Sequence, residues 1–267
     1  MKVSKVHAYG NDFLYVRAAD VGLCVSESAL AIEMCARHTG IGADGLIIFD
    51  STADGTLMRL WNADGSPSEV SGNGVRGLAA LLLRHDDRAD AAVTIHTAGG
   101  TKHLVRTARH RETQTFKASM GLPVDLRQVT TIVAGEPLQL VVMTFGNPQC
   151  VVLGPLPDQT RFERLGPALE HHVMFPHRTN VEFACVEASD AVRILIWERG
   201  VGPTTSSGTG SCAALIAAAV FGGANRKADV ISPGGTQRVD WREDSVYLTG
   251  CAEVILDGTW LRQIPRT

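Results

Sequence analysis

Ser71-Gly72-Asn73-Gly74-Val75-Arg76-Gly77-Leu78-Ala79-Ala80-Leu81-Leu82-Leu83 is a glycine turn that runs straight into an apolar stretch. Ser207-Gly208-Thr209-Gly210-Ser211-Cys212-Ala213-Ala214-Leu215-Ile216 does the same 136 positions further on. Other segments keep that spacing. Leu60-Trp61-Asn62 falls on Ile196-Trp197-Glu198, and Gly10-Asn11 falls on Gly146-Asn147. Gly99-Gly100-Thr101 falls on Gly234-Gly235-Thr236 with the spacing shortened by one. One G-x-G match carries no weight, but four anchors in one register point to a duplication, and an internal repeat decides the architecture. Two lobes are expected, residues 1–118 and 119–251, with residues 252–267 able to return to the first.

Around the two turns the chain reads as short strands rich in Val, Ile, Thr and Phe between turn residues. In the first half these are Val3 to His7, Phe13 to Arg17, Gly45 to Phe49, Leu57 to Asn62 and Val93 to Thr97. In the second they are Leu138 to Thr144, Cys150 to Leu153, Asn180 to Glu187, Ala191 to Trp197 and Ser245 to Leu248, with a last strand around Leu256 to Ile264. The runs Val75 to Arg84 and Ala213 to Val220 are apolar nearly all round, so each reads as a buried helix. The predicted class is α+β: two pseudo-symmetric lobes, each a mostly antiparallel sheet wrapped around a central helix. The basic stretch Arg106 to Arg111 reads as a solvated strand end.

The 267 residues suit one large domain or two ordinary ones. A composition of 45% hydrophobic and 20% charged residues is that of a globular protein, and a net charge of −3 gives no reason to expect nucleic acid or an anionic membrane as partner. Met1 to Gly10 has no apolar core of a signal peptide, and the longest apolar stretch, Cys212 to Phe221, is too short to span a bilayer, so a cytoplasmic location is expected. None of the six cysteines stand at C-x-x-C spacing, and they read as reduced core residues. No nucleotide fingerprint follows the first strand, and His171-His172 is the only close histidine pair, so neither a cofactor nor a metal is expected.

The two turns carry the candidate chemistry. A helix N-terminus offers free backbone N–H groups and a partial positive charge, and glycine lets a ligand approach that backbone. One such turn can hold a carboxylate. Two, related by a pseudo-twofold, could converge on one anion from both sides. Removing the α-proton of an amino acid places charge on its carboxylate, where preorganised donors are most effective. A group on each turn would then serve opposite faces of the α-carbon. The alternative is that the glycines only shape two strand-to-helix connections.

In combination these segments resemble the diaminopimelate epimerase family over nearly the full chain. Ala8-Tyr9-Gly10-Asn11-Asp12-Phe13, Arg37 to Gly45, Asn62-Ala63-Asp64-Gly65-Ser66 and Ser71 to Arg76 stand where the family has its first-half motifs. Gly146-Asn147-Pro148, Arg178-Thr179-Asn180-Val181-Glu182-Phe183, Glu198-Arg199-Gly200-Val201-Gly202 and Ser207 to Gly210 stand where it has those of the second half. The resemblance implies epimerisation of LL- and meso-diaminopimelate, in lysine and peptidoglycan biosynthesis, without a cofactor. It implies that Asn11, Asn62, Asn147, Asn180, Glu198 and Arg199 hold the far end of the substrate. Gly72, Asn73, Gly208 and Thr209 would meet its reacting end. The family tends to be dimeric, so a homodimer is implied as well.

The match departs from the family at the reacting centre. Both catalytic cysteines are replaced, by Ser71 and Ser207, and the histidine of the G-N-P-H segment is Gln149. A thiol begins near pKa ~8.5 and falls at a helix N-terminus, whereas an unassisted serine hydroxyl is a poor general base. Three readings follow. The serines work with a neighbouring base such as Glu198, or with water, in an epimerase, which is the favoured reading. The chain eliminates or dehydrates a related amino acid. Or it binds an amino acid without turning it over.

Overall fold

Both apolar runs are helices, and each lies inside a ring of strands. The computed structural model describes residues 1–22 and 26–261, so Cys24 and the end of the expected last strand at Ile264 lie outside the described residues. The chain divides into two compact units, one of residues 1–118 with the stretch from Gly250 onward, the other of residues 119–249.

The first unit contains β1 (Lys2–Ala8), β2 (Asn11–Arg17), α1 (Ala18–Val21), α2 (Glu27–Cys35), β3 (Gly45–Thr52), β4 (Gly55–Asn62), β5 (Pro67–Ser68), α3 (Gly72–Leu82), β6 (Ala92–Thr97), β7 (Gly100–His110) and β8 (Thr113–Ser119). Its neighbours in the ladder run β1, β2, β3, β4, β6, β7, β8, and β8 pairs with the last strand of the chain, which pairs back onto β1. The ring therefore closes at eight strands. Two of its pairings, β2 with β3 and β4 with β6, are parallel, and the chain crosses over through α2 in one case and α3 in the other.

The second unit opens with β9 (Val124–Val133) and then repeats the order with β10 (Glu136–Thr144), β11 (Pro148–Leu153), α4 (Gln159–Glu170), β12 (Asn180–Ala188), β13 (Ala191–Glu198), β14 (Gly202–Thr204), α5 (Gly208–Phe221), β15 (Lys227–Ser232), β16 (Gly235–Trp241) and the start of β17 (Val246–Thr259), whose later residues close the first ring. The parallel pairs are again the crossovers, β11 with β12 and β13 with β15. Reciprocal backbone bonds, Met120 N–H to Val246 O and Val246 N–H to Gly121 O at 2.8 Å each, bring the start of β17 back beside the segment that leads into β9. Apart from α1 and β9, the two halves thus carry the same elements in the same order, as the repeated turns predict.

The helices are buried for a simple reason. From Cys212 to Ala218, α5 is 0% exposed on every side, and an apolar cylinder is stable only where all of it is covered. The strand ring provides that cover with Val141, Val151, Val192, Ile194, Val230 and Val239. Its counterpart α3 packs Val75, Leu78 and Ala79 against Val6, Phe13, Tyr15 and Ile95, leaving Leu81 and Leu82 half-buried. Cys35, Cys150 and Cys212 are buried thiols, and no disulfide joins the described cysteines. Among the described residues no helix is long and apolar enough to cross a membrane.

The structure corrects one expectation. Arg106, read as part of a solvated strand end, is buried: its guanidinium donates to Leu83 O and Gln114 Oε1 at 3.0 and 2.9 Å, to Asp86 O at 2.6 Å and to Arg88 O. It satisfies the carbonyls that follow α3, while Thr107 to Arg111 are exposed as expected.

Candidate functional site

In the first unit the turn is an N-cap. Ser71 holds extended backbone angles, and its Oγ accepts the Gly74 N–H at 3.1 Å. Serine is among the preferred residues at this position, because its oxygen satisfies one of the four free N–H groups of the first turn. With Oγ accepting there, the hydroxyl proton remains to be donated elsewhere. Tyr15, fully buried, donates to Gly74 O at 2.9 Å and fixes the turn from below. Ile47 Cδ1 lies 2.8 Å from where a Gly74 Cβ would stand, so any larger residue would require the Ile47 side chain to shift.

A polar chain surrounds Ser71. Asn73 Nδ2 donates to Asn11 Oδ1 at 3.3 Å, and Arg76 donates to Asn73 Oδ1 at 3.2 Å. Asn11 Nδ2 donates to Asp44 Oδ2 at 2.7 Å, and Arg37 donates to Asp44 and Asp12 at 2.7 and 3.1 Å. Burial opposes charge on Asp12, but Lys5 at 2.8 Å and Arg37 outweigh it and hold the carboxyl below its ordinary range. Asn62, at the end of β4, pairs with Gly45 in the ladder and donates to Ser66 Oγ at 3.0 Å. Asn11, Asn73 and the Ser71 turn are thereby joined, with Asn62 beside the start of β3, which Asp44 immediately precedes.

The second unit repeats the cap with more burial. Ser207 Oγ accepts the Gly210 N–H at 3.2 Å, and Ser207 O accepts from Ser211 Oγ at 2.7 Å. Gln237, buried, reaches Ser206 Oγ and Ser211 Oγ at 3.2 Å each. Asn180 accepts the Arg199 N–H at 2.9 Å and donates to Pro148 O at 3.3 Å, tying the Asn147 turn to the Glu198-Arg199 turn. Glu170 accepts from Trp197 Nε1 at 2.8 Å and Gly200 N–H at 2.9 Å. Burial works against its charge, yet those two bonds hold it below the usual range.

Beneath this turn the halves differ. The register places Val151 beside Glu182 and Glu182 beside Ile196, as it places Tyr15 beside Ile47 and Ile47 beside Leu60. Glu182 therefore stands where the first unit has Ile47. It is 0% exposed, and burial, followed by the charge of Glu198, pushes it well above the ordinary carboxylate range. Its Oε1 lies 2.5 Å, and Ser207 Oγ 3.0 Å, from where a Gly210 Cβ would stand. One terminal atom of the Gln149 amide lies 3.0 and 3.2 Å from the two Glu182 oxygens. The other lies 2.5 Å from the Asn147 amide and 3.2 Å from Thr209 Oγ1.

Sequence reasoning singled out Ser71, Gly72, Asn73, Asn11 and Asn62 in one half and Ser207, Gly208, Thr209, Asn147, Asn180, Glu198 and Arg199 in the other. It passed over Asp44, Tyr15, Glu170, Glu182 and Gln237, which hold them. A lone carboxylate between Val181 and Phe183 in an apolar strand was the available signal for Glu182. Among the described residues no group of three His, Cys, Asp or Glu is placed to hold a metal ion.

The class is defined first by the paired helix-filled rings. This fold is shared over 98% of the chain, and 93% of the other, with a probable proline racemase from Agrobacterium radiobacter K84, at a TM-score of 0.75 and 15% identity. The family follows from sequence. Residues 3–124 and 141–255 match the diaminopimelate epimerase model. The diaminopimelate epimerase of Desulforudis audaxviator (strain MP104C) is 37% identical over 98% of this chain and 100% of its own length. That of Nostoc punctiforme (strain ATCC 29133 / PCC 73102) is 37% identical over 97% and 99%. The chain belongs to the diaminopimelate epimerase family.

Proposed function

We propose that this protein is a cofactor-independent amino-acid epimerase that interconverts LL- and meso-diaminopimelate. The observation that carries the reading is that both halves match the family and both end a strand at a Ser-Gly-x-Gly helix cap backed by buried polar side chains. Ser71 and Ser207 each serve one face of the α-carbon. The backbone at Gly72, Asn73, Gly208 and Thr209 stabilises the charge that develops on the reacting carboxylate. Asn11, Asn62, Asn147, Asn180, Glu198 and Arg199 hold the second amino-acid head, for which an arginine fork suits the carboxylate and Glu198 the ammonium.

Proton removal is the demanding step. Each serine oxygen already accepts a helix N–H, which suits the hydroxyl to donating a proton. To accept one it needs help, supplied by Glu198 or a water. The pair of serines is also the observation that favours a second reading, elimination at a related amino acid, where one base and a leaving group suffice. The reading carries with it a cytoplasmic, homodimeric enzyme of lysine and peptidoglycan biosynthesis. The test is incubation with LL- and meso-diaminopimelate in deuterium oxide, followed by NMR of the α-hydrogens. Exchange with interconversion of isomers is expected. A keto acid or unsaturated product would instead establish the elimination, and binding without exchange would end the epimerase reading for this substrate.

A further inference from the structure

We infer that Glu182 is a positioning residue whose proton decides, through Gln149, whether Asn147 and Thr209 offer hydrogen-bond donors or acceptors to the carboxylates of a bound amino acid. The inference rests on the proposed function only in taking Asn147 and Thr209 to face the substrate.

The geometry admits two arrangements of the same atoms. A neutral Glu182 has an O–H to donate, and the Gln149 carbonyl lies 3.0 to 3.2 Å away to receive it. The Gln149 N–H2 then donates to Asn147 Oδ1 at 2.5 Å and Thr209 Oγ1 at 3.2 Å. With its oxygen engaged, Asn147 has only its N–H2 to show a ligand, and the Thr209 hydroxyl is free to donate. An ionised Glu182 has only acceptors, so the Gln149 amide turns over and gives its N–H2 to the carboxylate. Its carbonyl must then receive from Asn147 and Thr209. Asn147 now shows an oxygen outward, and Thr209 has lost its donor. A carboxylate ligand, which can only accept, suits the first arrangement and is repelled by the second.

Burial makes the two states distinct. Glu182 and Gln149 are 0% and 1% exposed, whereas Asn147 and Thr209 are half-buried, so the network meets the surface only at the latter two. The first unit has Ile47 in place of Glu182 and lacks the switch. Around Glu182, β11 brings the buried Cys150 thiol and β13 brings Glu198, whose charge favours the proton. On α5 the one titratable side chain is Cys212, in the apolar core. On the other face of β12, α4 presents Phe162 to Phe183. The N-terminus of α5 favours ionisation, but its Gly210 N–H is taken by Ser207.

The experiment measures the affinity of LL-diaminopimelate by calorimetry from about pH 5 to about pH 9, a span that covers strongly raised buried carboxyls. Binding is expected to weaken by at least about tenfold as Glu182 ionises, the size of one of the two reversed hydrogen bonds to a charged group. Glu182→Gln, whose N–H2 donates as the neutral carboxyl does, should keep the low-pH affinity throughout, while ligand ionisation affects both proteins alike. A variant that retains the pH dependence of the unsubstituted protein overturns the inference. A second measurement needs neither variant nor ligand. The side-chain amide signals of Gln149 and Asn147 should move with the Glu182 carboxyl signal in an NMR pH titration, and a titrating Glu182 beside unmoved amides overturns the inference as well. Absence of binding at every pH would count against the proposed substrate, and the NMR titration would still decide the switch.

Discussion

Replacing the two cap serines separates their structural role from their chemical one. Each Oγ accepts one helix N–H, at 3.1 Å in the first unit and 3.2 Å in the second. Loss of such a cap costs about 0.5–2 kcal/mol. The two sites should not cost the same. Ser71 is half-buried, so water can take over the Gly74 N–H, and Ser71→Ala should fall near 1 kcal/mol, roughly the middle of that range. Ser207 is buried, and its loss leaves the Gly210 N–H without a partner, so Ser207→Ala should reach about 2 kcal/mol. The turns share none of their described partners, so the double variant should lose about 3 kcal/mol by additivity. Urea unfolding with linear extrapolation reads these values. Activity should move differently. The alanine variants should lose α-hydrogen exchange, whereas Ser71→Cys with Ser207→Cys should gain rate by a factor on the order of 10² to 10⁴, the usual contribution of a competent acid–base group. A double alanine variant that exchanges the α-hydrogen at the unsubstituted rate would refute the roles given to both serines. A folded double cysteine variant that binds diaminopimelate and is no faster would refute the argument from proton affinity.

Two further outcomes follow from burial. Glu182 holds its proton more tightly folded than unfolded, so the stability it contributes is complete below the ordinary carboxylate value and is lost as pH rises toward the raised folded value. Thermal melts of Glu182→Gln should therefore gain on those of the unsubstituted protein from about pH 4 upward, and parallel curves would show that Glu182 titrates alike in both states. Arg106→Met should destabilise the first unit by about 3 kcal/mol, since three buried or half-buried carbonyls lose their donor at about 1 kcal/mol each. A change below about 1 kcal/mol in urea unfolding would mean that water replaces the guanidinium.

Much of the fold was legible because it was written twice. The spacing of Ser71 and Ser207, with Asn11 and Asn147 and with Trp61 and Trp197, marks a repeat that no propensity argument is needed to see. Strands β1 to β4, β6 and β10 to β13 were readable from their apolar residues. Strands β8 and β9, and β7 before the strand end read at Arg106, were not, because one of their faces meets solvent: β7 buries only Leu104 and Arg106 of eleven residues. Such a strand has too few apolar positions to register as one. The helices α2 and α4 were missed although they cover the outside of the sheets: α2 is short with a weak amphipathic pattern, whereas α4 does carry the helical spacing Phe162, Leu165 and Leu169, beside Pro167.

By itself the sequence determined the duplication, the two buried helices and the identity of the polar residues at each turn, since these depend on spacing and residue type. Only the tertiary structure decided how those residues are supported. The caps of Ser71 and Ser207, through Gly74 and Gly210, each span only three residues, but that Arg106 is an internal donor rather than a solvated charge depends on packing between segments far apart in the chain. So does the asymmetry between Ile47 and Glu182. Both sit in apolar strands one position out of the repeat spacing, and only the hydrogen-bond register of the folded sheet brings the two into equivalence. A carboxyl there keeps its proton because folding removes the water that would have stabilised its charge.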